Sequence, residues 1–177
     1  MDIKDLLEYN WFCSRKFLDG LGKLPWSEVV EDRGASFGSI RNIFLHSLEA
    51  EQGWFRHLAR GKIGEWPSHD YDKEFQSVEA MRKYAEEVEA EGRSYLKKLR
   101  PSGLGKPFPI AWHGKSFRVE DVLMHVVEEC LHHRGEIMCL MWQIDAEPPY
   151  TGYPGYLLES GKLKRSEKKR TSRKSGK

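Results

Sequence analysis

A chain of 177 residues with 39% apolar and 12% aromatic content has room for one domain with a continuous core, which excludes a generically disordered protein. No stretch approaches the roughly 20 apolar residues of a membrane span, no apolar run of signal-peptide length follows Met1, and Cys13, Cys130 and Cys139 form neither a CxxC pair nor a disulfide framework, so a cytoplasmic protein is expected. The net charge of +2 conceals nine Lys and Arg against one acid, Glu167, in residues 161–177, which leaves 20 basic and 26 acidic residues in 1–160.

Helical periodicity predicts four long helices. The first runs from about Asp2, a cap, to Gly22, with Ile3, Leu6, Leu7, Trp11, Phe17, Leu18 and Leu21 on one side. The second runs from near Ser36 to Gly61, with Phe37, Ile40, Phe44, Leu48, Glu51, Phe55 and Leu58 on its main stripe. A loop from Gly61 to Glu74 leads to the third, about Phe75 to Arg100, stopped by Pro101. FPIAWHGKSFRV then alternates around His113-Gly114 and reads as a short hairpin. The fourth helix runs from Val119 to about Asp145, ahead of Pro148-Pro149. The expected fold is all-α, a four-helix bundle over residues 1–160. Residues 161–177 form a basic tail poor in apolar groups and read as disordered. The tail has no aromatic to stack on bases, so a solvated extension is preferred to a nucleic-acid arm.

The fourth helix carries the chemistry. At about 100° per residue, Val122, Leu123, Val126, Cys130, Ile137, Leu140 and Met141 share one stripe with His133 inside it and Glu129 at its edge. A buried carboxylate and imidazole need compensation. Their i, i+4 spacing aims both heads at one spot, as metal ligands require. The plainer reading is a core histidine in an ion pair with Glu129, and the helix alone leaves both open. His125 and His132 lie one flank away, as outer partners or exposed side chains. A third donor could come from His46, although it sits on a flank with Ile43, Ala50 and Gly53 rather than on the main stripe. Glu51, in the middle of that stripe, needs a buried partner such as Arg134 or a helix end.

The run HHRGE (His132 to Glu136), inside LMHVVEECLHHRGEI, resembles the signature of the DinB/YfiT superfamily. SFGSIRNIFLHSLEAEQGWF resembles that family's second-helix signature, with His46, Glu51 and Trp54 in matching places, and EYNWFCSRKFLD and MWQIDAEPPY resemble its ends. The resemblance covers about residues 1–153. It implies a four-helix bundle with a divalent metal held by three histidines, here with His46 and His133 in two of the positions and Glu129 in the third. Two histidines and a carboxylate remain a competent set and leave the ion open among zinc, nickel and iron. The resemblance further implies a small-molecule substrate and a low-molecular-weight thiol. The metal would activate that thiol for transfer to an electrophile, or activate water for hydrolysis. No protein nucleophile is needed, and Cys130 on the core stripe is expected to be inert. A non-catalytic, metal-stabilised bundle serving in interaction or stress response is the alternative. A homodimer is expected, with aromatic surface near Trp11, Trp54 and Trp142. Neither a membrane nor a specific nucleic acid is expected as partner.

Overall fold

The computed structural model describes residues 2–163. The basic tail expected from residue 161 therefore lies outside the described residues from 164 onward; within them, Lys162 pairs with Asp5 at 2.6 Å. The protein is an all-α four-helix bundle with a small two-stranded ribbon. Its four long helices are α1 (Ile3–Leu21), α3 (Ile40–Arg60), α5 (Val78–Lys98) and α7 (Val119–Gln143). Short helices join or follow them: α2 (Trp26–Val30), α4 (Tyr71–Glu74), α6 (Pro101–Leu104) and α8 (Tyr153–Glu159).

Local chemistry sets the helix boundaries. Asp2 accepts the Lys4 N–H at the start of α1, Ser39 the Asn42 N–H before α3, and Ser77 the Ala80 N–H before α5. Asp121 accepts the Arg118 N–H at the start of α7. Helix α3 closes on Gly61, whose φ of 74° suits a residue without Cβ. The second predicted helix therefore begins four residues later than its periodicity suggested. Phe37 belongs to the preceding loop, where Gly34 and Gly38 take positive φ and Ala35 bridges Gly38. Helix α5 likewise starts at its Ser77 cap rather than at Phe75.

Strands β1 (Pro107–Ile110) and β2 (Lys115–Arg118) pair antiparallel, Phe108 opposite Phe117. A single 3₁₀ turn, Ala111–His113, links them, and Gly114 leaves it at φ 62°. The hairpin anticipated around His113-Gly114 is present, and Phe108 and Ile110 pin it to the core.

Helices α5 and α7 each pack against both α1 and α3, so α1 and α3 face one another across the bundle. The interior is two apolar clusters. One takes Phe17, Leu21, Phe44, Leu48, Met81, Val88, Ile137 and Met141; the other takes Leu7, Trp11, Trp54, Phe55, Leu96, Leu123 and Val126. At the border on α5, Gly92 admits the rings of Trp11 and Phe55, which an added Cβ would meet at 2.6 and 2.8 Å. Trp11 and Trp54 are thus core residues rather than dimer surface, and of the three tryptophans expected there only Trp142 is exposed.

A polar belt separates the two clusters. The fully buried Glu51 carboxylate accepts hydrogen bonds from Trp11 Nε1 and from Asn10 Nδ2 (3.2 Å). The Arg134 guanidinium donates to Asn10 Oδ1, and the Cys130 thiol lies 3.6 Å from Glu51 Oε2. Arg134 therefore supports Glu51 through Asn10 rather than by the direct pair the sequence suggested. Burial pushes the Glu51 carboxyl up to about 7, against the opposing pull of Trp11, Cys130 and Arg134.

A carboxyl that binds its proton more tightly when folded stabilises the fold fully below its unfolded pKa and loses that contribution as pH rises. Wild-type stability relative to Glu51→Gln is accordingly expected to fall between about pH 4.5 and 7, with a slope of up to about 1.4 kcal/mol for each pH step of one across that window. Urea midpoints of both proteins at pH 4, 5.5 and 8 check this; a constant difference across the range contradicts it.

Candidate metal centre

His46 on α3 and Glu129 and His133 on α7 meet in the seam between the two helices. One ligand atom from each lies within 4.8 Å of the other two. His46 Nε2 is 3.7 Å from Glu129 Oε1, and His133 Nε2 is 3.1 Å from the same oxygen. A tetrahedral ion with bonds of about 2.0–2.1 Å separates its ligand atoms by about 3.3 Å, so these two spacings bracket that separation. The donors, two imidazole nitrogens and a carboxylate oxygen, suit a borderline divalent ion. Phase along α7 explains the gathering: four residues bring Glu129 and His133 to nearly the same angle, while Arg134, one residue on, turns inward to the polar belt. His46 reaches the seam from its flank because α3 touches two neighbours and turns its main stripe to the core.

Side chains around the triad hold it in a ligand-ready form. His133 is buried between two carboxylates, with Nδ1 2.7 Å from Glu136 Oε2 and Nε2 3.1 Å from Glu129 Oε1, so the ion pair with Glu129 is present; an ion taken up on the Glu129 side would replace the Nε2 proton while Nδ1–H stays on Glu136. Glu136 also accepts from the Ser36 hydroxyl at 3.0 Å. Burial works against the Glu136 charge, but the hydrogen bonds from His133 and Ser36 prevail and keep its carboxyl below the ordinary range. A carboxylate behind a ligand imidazole is the usual support of a metal-bound histidine. Phe37 stacks on the His46 ring, centroids 3.7 Å apart at 19°, and meets His133 edge-on. Burial first, then the charge of His133, pushes the His46 imidazole below its ordinary value, against the pull of Glu129. That favours the neutral form, the one with a free lone pair.

A cavity of about 350 Å³ opens beside the triad, lined by His46, Glu49, Trp54, Trp66, His125 and Glu129. Glu49 accepts the Tyr71 hydroxyl at 2.5 Å and the His69 N–H at 3.0 Å, and burial raises its carboxyl above the ordinary range. Trp66 lies against Gly53, where any Cβ would overlap its ring, and His57 meets it edge-on at 4.5 Å. His57 Nδ1 accepts the Gly64 N–H, so its Nε2 carries the proton, and that nitrogen has no hydrogen-bond partner among the described residues. His125 is half-exposed and pairs with Glu128 at 3.4 Å, forming with Glu128 and Glu129 a second, more open cluster. His132 is exposed, and Cys130 is buried with its thiol pushed up by burial and by Glu51.

Sequence reasoning placed Phe37 only on a helical stripe and Glu136 only at the end of the HHRGE run, and it did not single out Glu49 or Trp66. A family model for the DinB family matches residues 1–168. No curated protein matches the chain.

His133→Ala is expected to lose most bound divalent metal, and Glu136→Gln to weaken binding by about 10–100-fold through loss of the support behind the imidazole. His69→Ala and His113→Ala should leave it unchanged. Metal analysis of tag-free protein checks these outcomes; stoichiometric metal in a His46→Ala/His133→Ala double variant would refute the ligand set.

Proposed function

The chain belongs to the DinB family, and on that premise we propose that it is a divalent-metal enzyme transferring a low-molecular-weight thiol to a small electrophile, with hydrolysis as the nearest variant. The carrying observation is the triad of His46, Glu129 and His133 at the edge of a cavity, with Glu136 fixing His133 from behind. Such a donor set suits zinc, nickel or iron. A bound ion supplies Lewis acidity, favouring the deprotonated form of a thiol or water and polarising an electrophile.

The protein's own residues supply the rest. Glu136 is placed to hold the His133 proton on Nδ1, so that Nε2, which faces Glu129 across the seam, would give its lone pair to an ion bound between them. Phe37 limits the swing of the His46 ring and shields that side of the seam from water. Trp54 and Trp66, set edge to face at 5.2 Å, wall the cavity and reduce water access. Glu49, with its raised carboxyl, is the group in the cavity suited to take the proton that the incoming nucleophile loses and return it to a leaving group. An external nucleophile is favoured because burial raises the thiols of Cys13 and Cys130. Cys139, six residues beyond His133, lies about 120° away round α7.

Metal-loaded protein is expected to consume a small thiol against an activated electrophile, with activity lost on chelation and restored by metal. Glu49→Gln should lower kcat by about 100-fold or more with metal content intact. Turnover without added thiol assigns hydrolysis. If fully loaded protein turns over neither substrate, the reading gives way to a non-catalytic, metal-stabilised interaction protein.

A further inference from the structure

A second cavity of about 350 Å³ adjoins the first. Ile110 and Val122 line it together with the rings of Trp54, Trp112, His113, Phe117 and His125. Trp54 and His125 line both cavities and meet edge to face at 5.6 Å, so the two form one cleft divided by this pair. The rings of the second cavity do not stack on one another. Trp54 and Trp112 are 6.2 Å apart at 53°, and Trp112 is 56% exposed on the 3₁₀ turn of the hairpin. Faces and edges are thus left open to a guest.

Charge and size narrow the guest. The acid in the lining, Asp121, is occupied by Arg118, whose Nε and Nη2 donate to it at 3.0 and 2.6 Å. Among the described residues neither Lys nor Arg lines the cavity, so a phosphate or carboxylate would find no permanent cation there, only the imidazoles of His113 and His125. Small-molecule pockets span about 300–1,000 Å³, and this one is at the lower end, with room for one or two fused rings. Five rings offering faces and edges at different angles favour a flat aromatic guest over a saturated one, because only the aromatic guest returns complementary quadrupole contacts.

We propose that this second cavity is an aryl subsite: it holds a neutral ring of one or two fused rings belonging to the substrate, whose reactive end passes Trp54 and His125 toward His46 and Glu129. Its link to chemistry rests on the metal-centre reading above, whereas ring binding itself does not need the metal. The hairpin carries Trp112 and Phe117 as an adjustable wall, while the metal ligands stand on long helices. Ring preference and metal chemistry are therefore built on separate elements.

The test is a titration of metal-stripped, full-length protein with 2-naphthol and with its saturated counterpart decahydro-2-naphthol, followed by the six tryptophan indole N–H signals in NMR. 2-Naphthol is expected to move the signals of Trp54 and Trp112 and leave those of Trp11, Trp26 and Trp142 in place. Trp112→Ala should weaken its binding about tenfold, the loss of one ring contact. Trp112 is exposed, so the variant keeps its core; Phe117→Ala provides a second reading of the same wall. His133→Ala should bind 2-naphthol as the wild type does, so that metal content reports on the metal centre and naphthol binding on the subsite. Equal affinity for the saturated alcohol, shifts confined to Trp142, or no saturable shift at Trp54 and Trp112 would each overturn the proposal.

Discussion

The Glu51 carboxylate, sealed between two apolar clusters, is the constraint on which the bundle's register depends. It sits on α3, its donors Trp11 and Asn10 are on α1, and Arg134, which grips Asn10, is on α7. Apolar clusters tolerate sliding because their contacts are interchangeable, but hydrogen bonds to one buried carboxylate do not. Removing one partner of such a buried set costs about 3–5 kcal/mol, although a well-packed apolar replacement of the whole set can be neutral. What the belt contributes is therefore alignment more than net stability. It fixes the longitudinal position of α3 against α7, and a slip of one turn, about 5.4 Å, would carry His46 past Glu129 and His133.

Inside and outside of the same helix pair thus have different tasks. On α7, Cys130 and Arg134 face the belt, while Glu129 and His133, one residue earlier in each case, face the seam with α3. On α3, Glu51 faces inward and His46 and Glu49 line the cavity. The seam inherits its precision from the belt. Its chemistry then comes from short-range supports, Glu136 behind His133 and Phe37 over His46, that belong to α7 and to the loop before α3.

Much of this was legible in the sequence, for physical reasons that differ by element. The long helices showed through their 3.6-residue stripes and their stops at Gly61 and Pro101, and the hairpin through alternation around Gly114. Glu129 and His133 stood out because polar groups on an apolar stripe demand an explanation. His46 did not, since a helix wheel ranks a residue by one dominant face and α3 has two neighbours. Phe37 looked like the first apolar residue of a helical stripe, but the Ser39 cap and the positive φ of Gly34 and Gly38 place it in a loop. Trp11 and Trp54 suggested surface through residue type alone, whereas Gly92 makes room for Trp11 in the core. Glu49 and Trp66 acquire meaning only when the loop following α3 folds back across that helix, a contact that no local pattern encodes.

That fold-back has a consequence for how the protein can diverge. Trp66 is seated where Gly53 has no side chain, so the seat is an absence, and a single methyl group at position 53 would evict the ring. Gly53 meets Trp66 and Pro67 of the following loop, and the belt at Glu51 lies two residues earlier, about 160° away round the helix. One codon could therefore redraw the mouth of the cleft while the bundle and its ligands stayed as they are. Variation in what the site admits is cheap here, and variation in what it does is costly, since the latter must pass through helices whose register a buried carboxyl group already fixes.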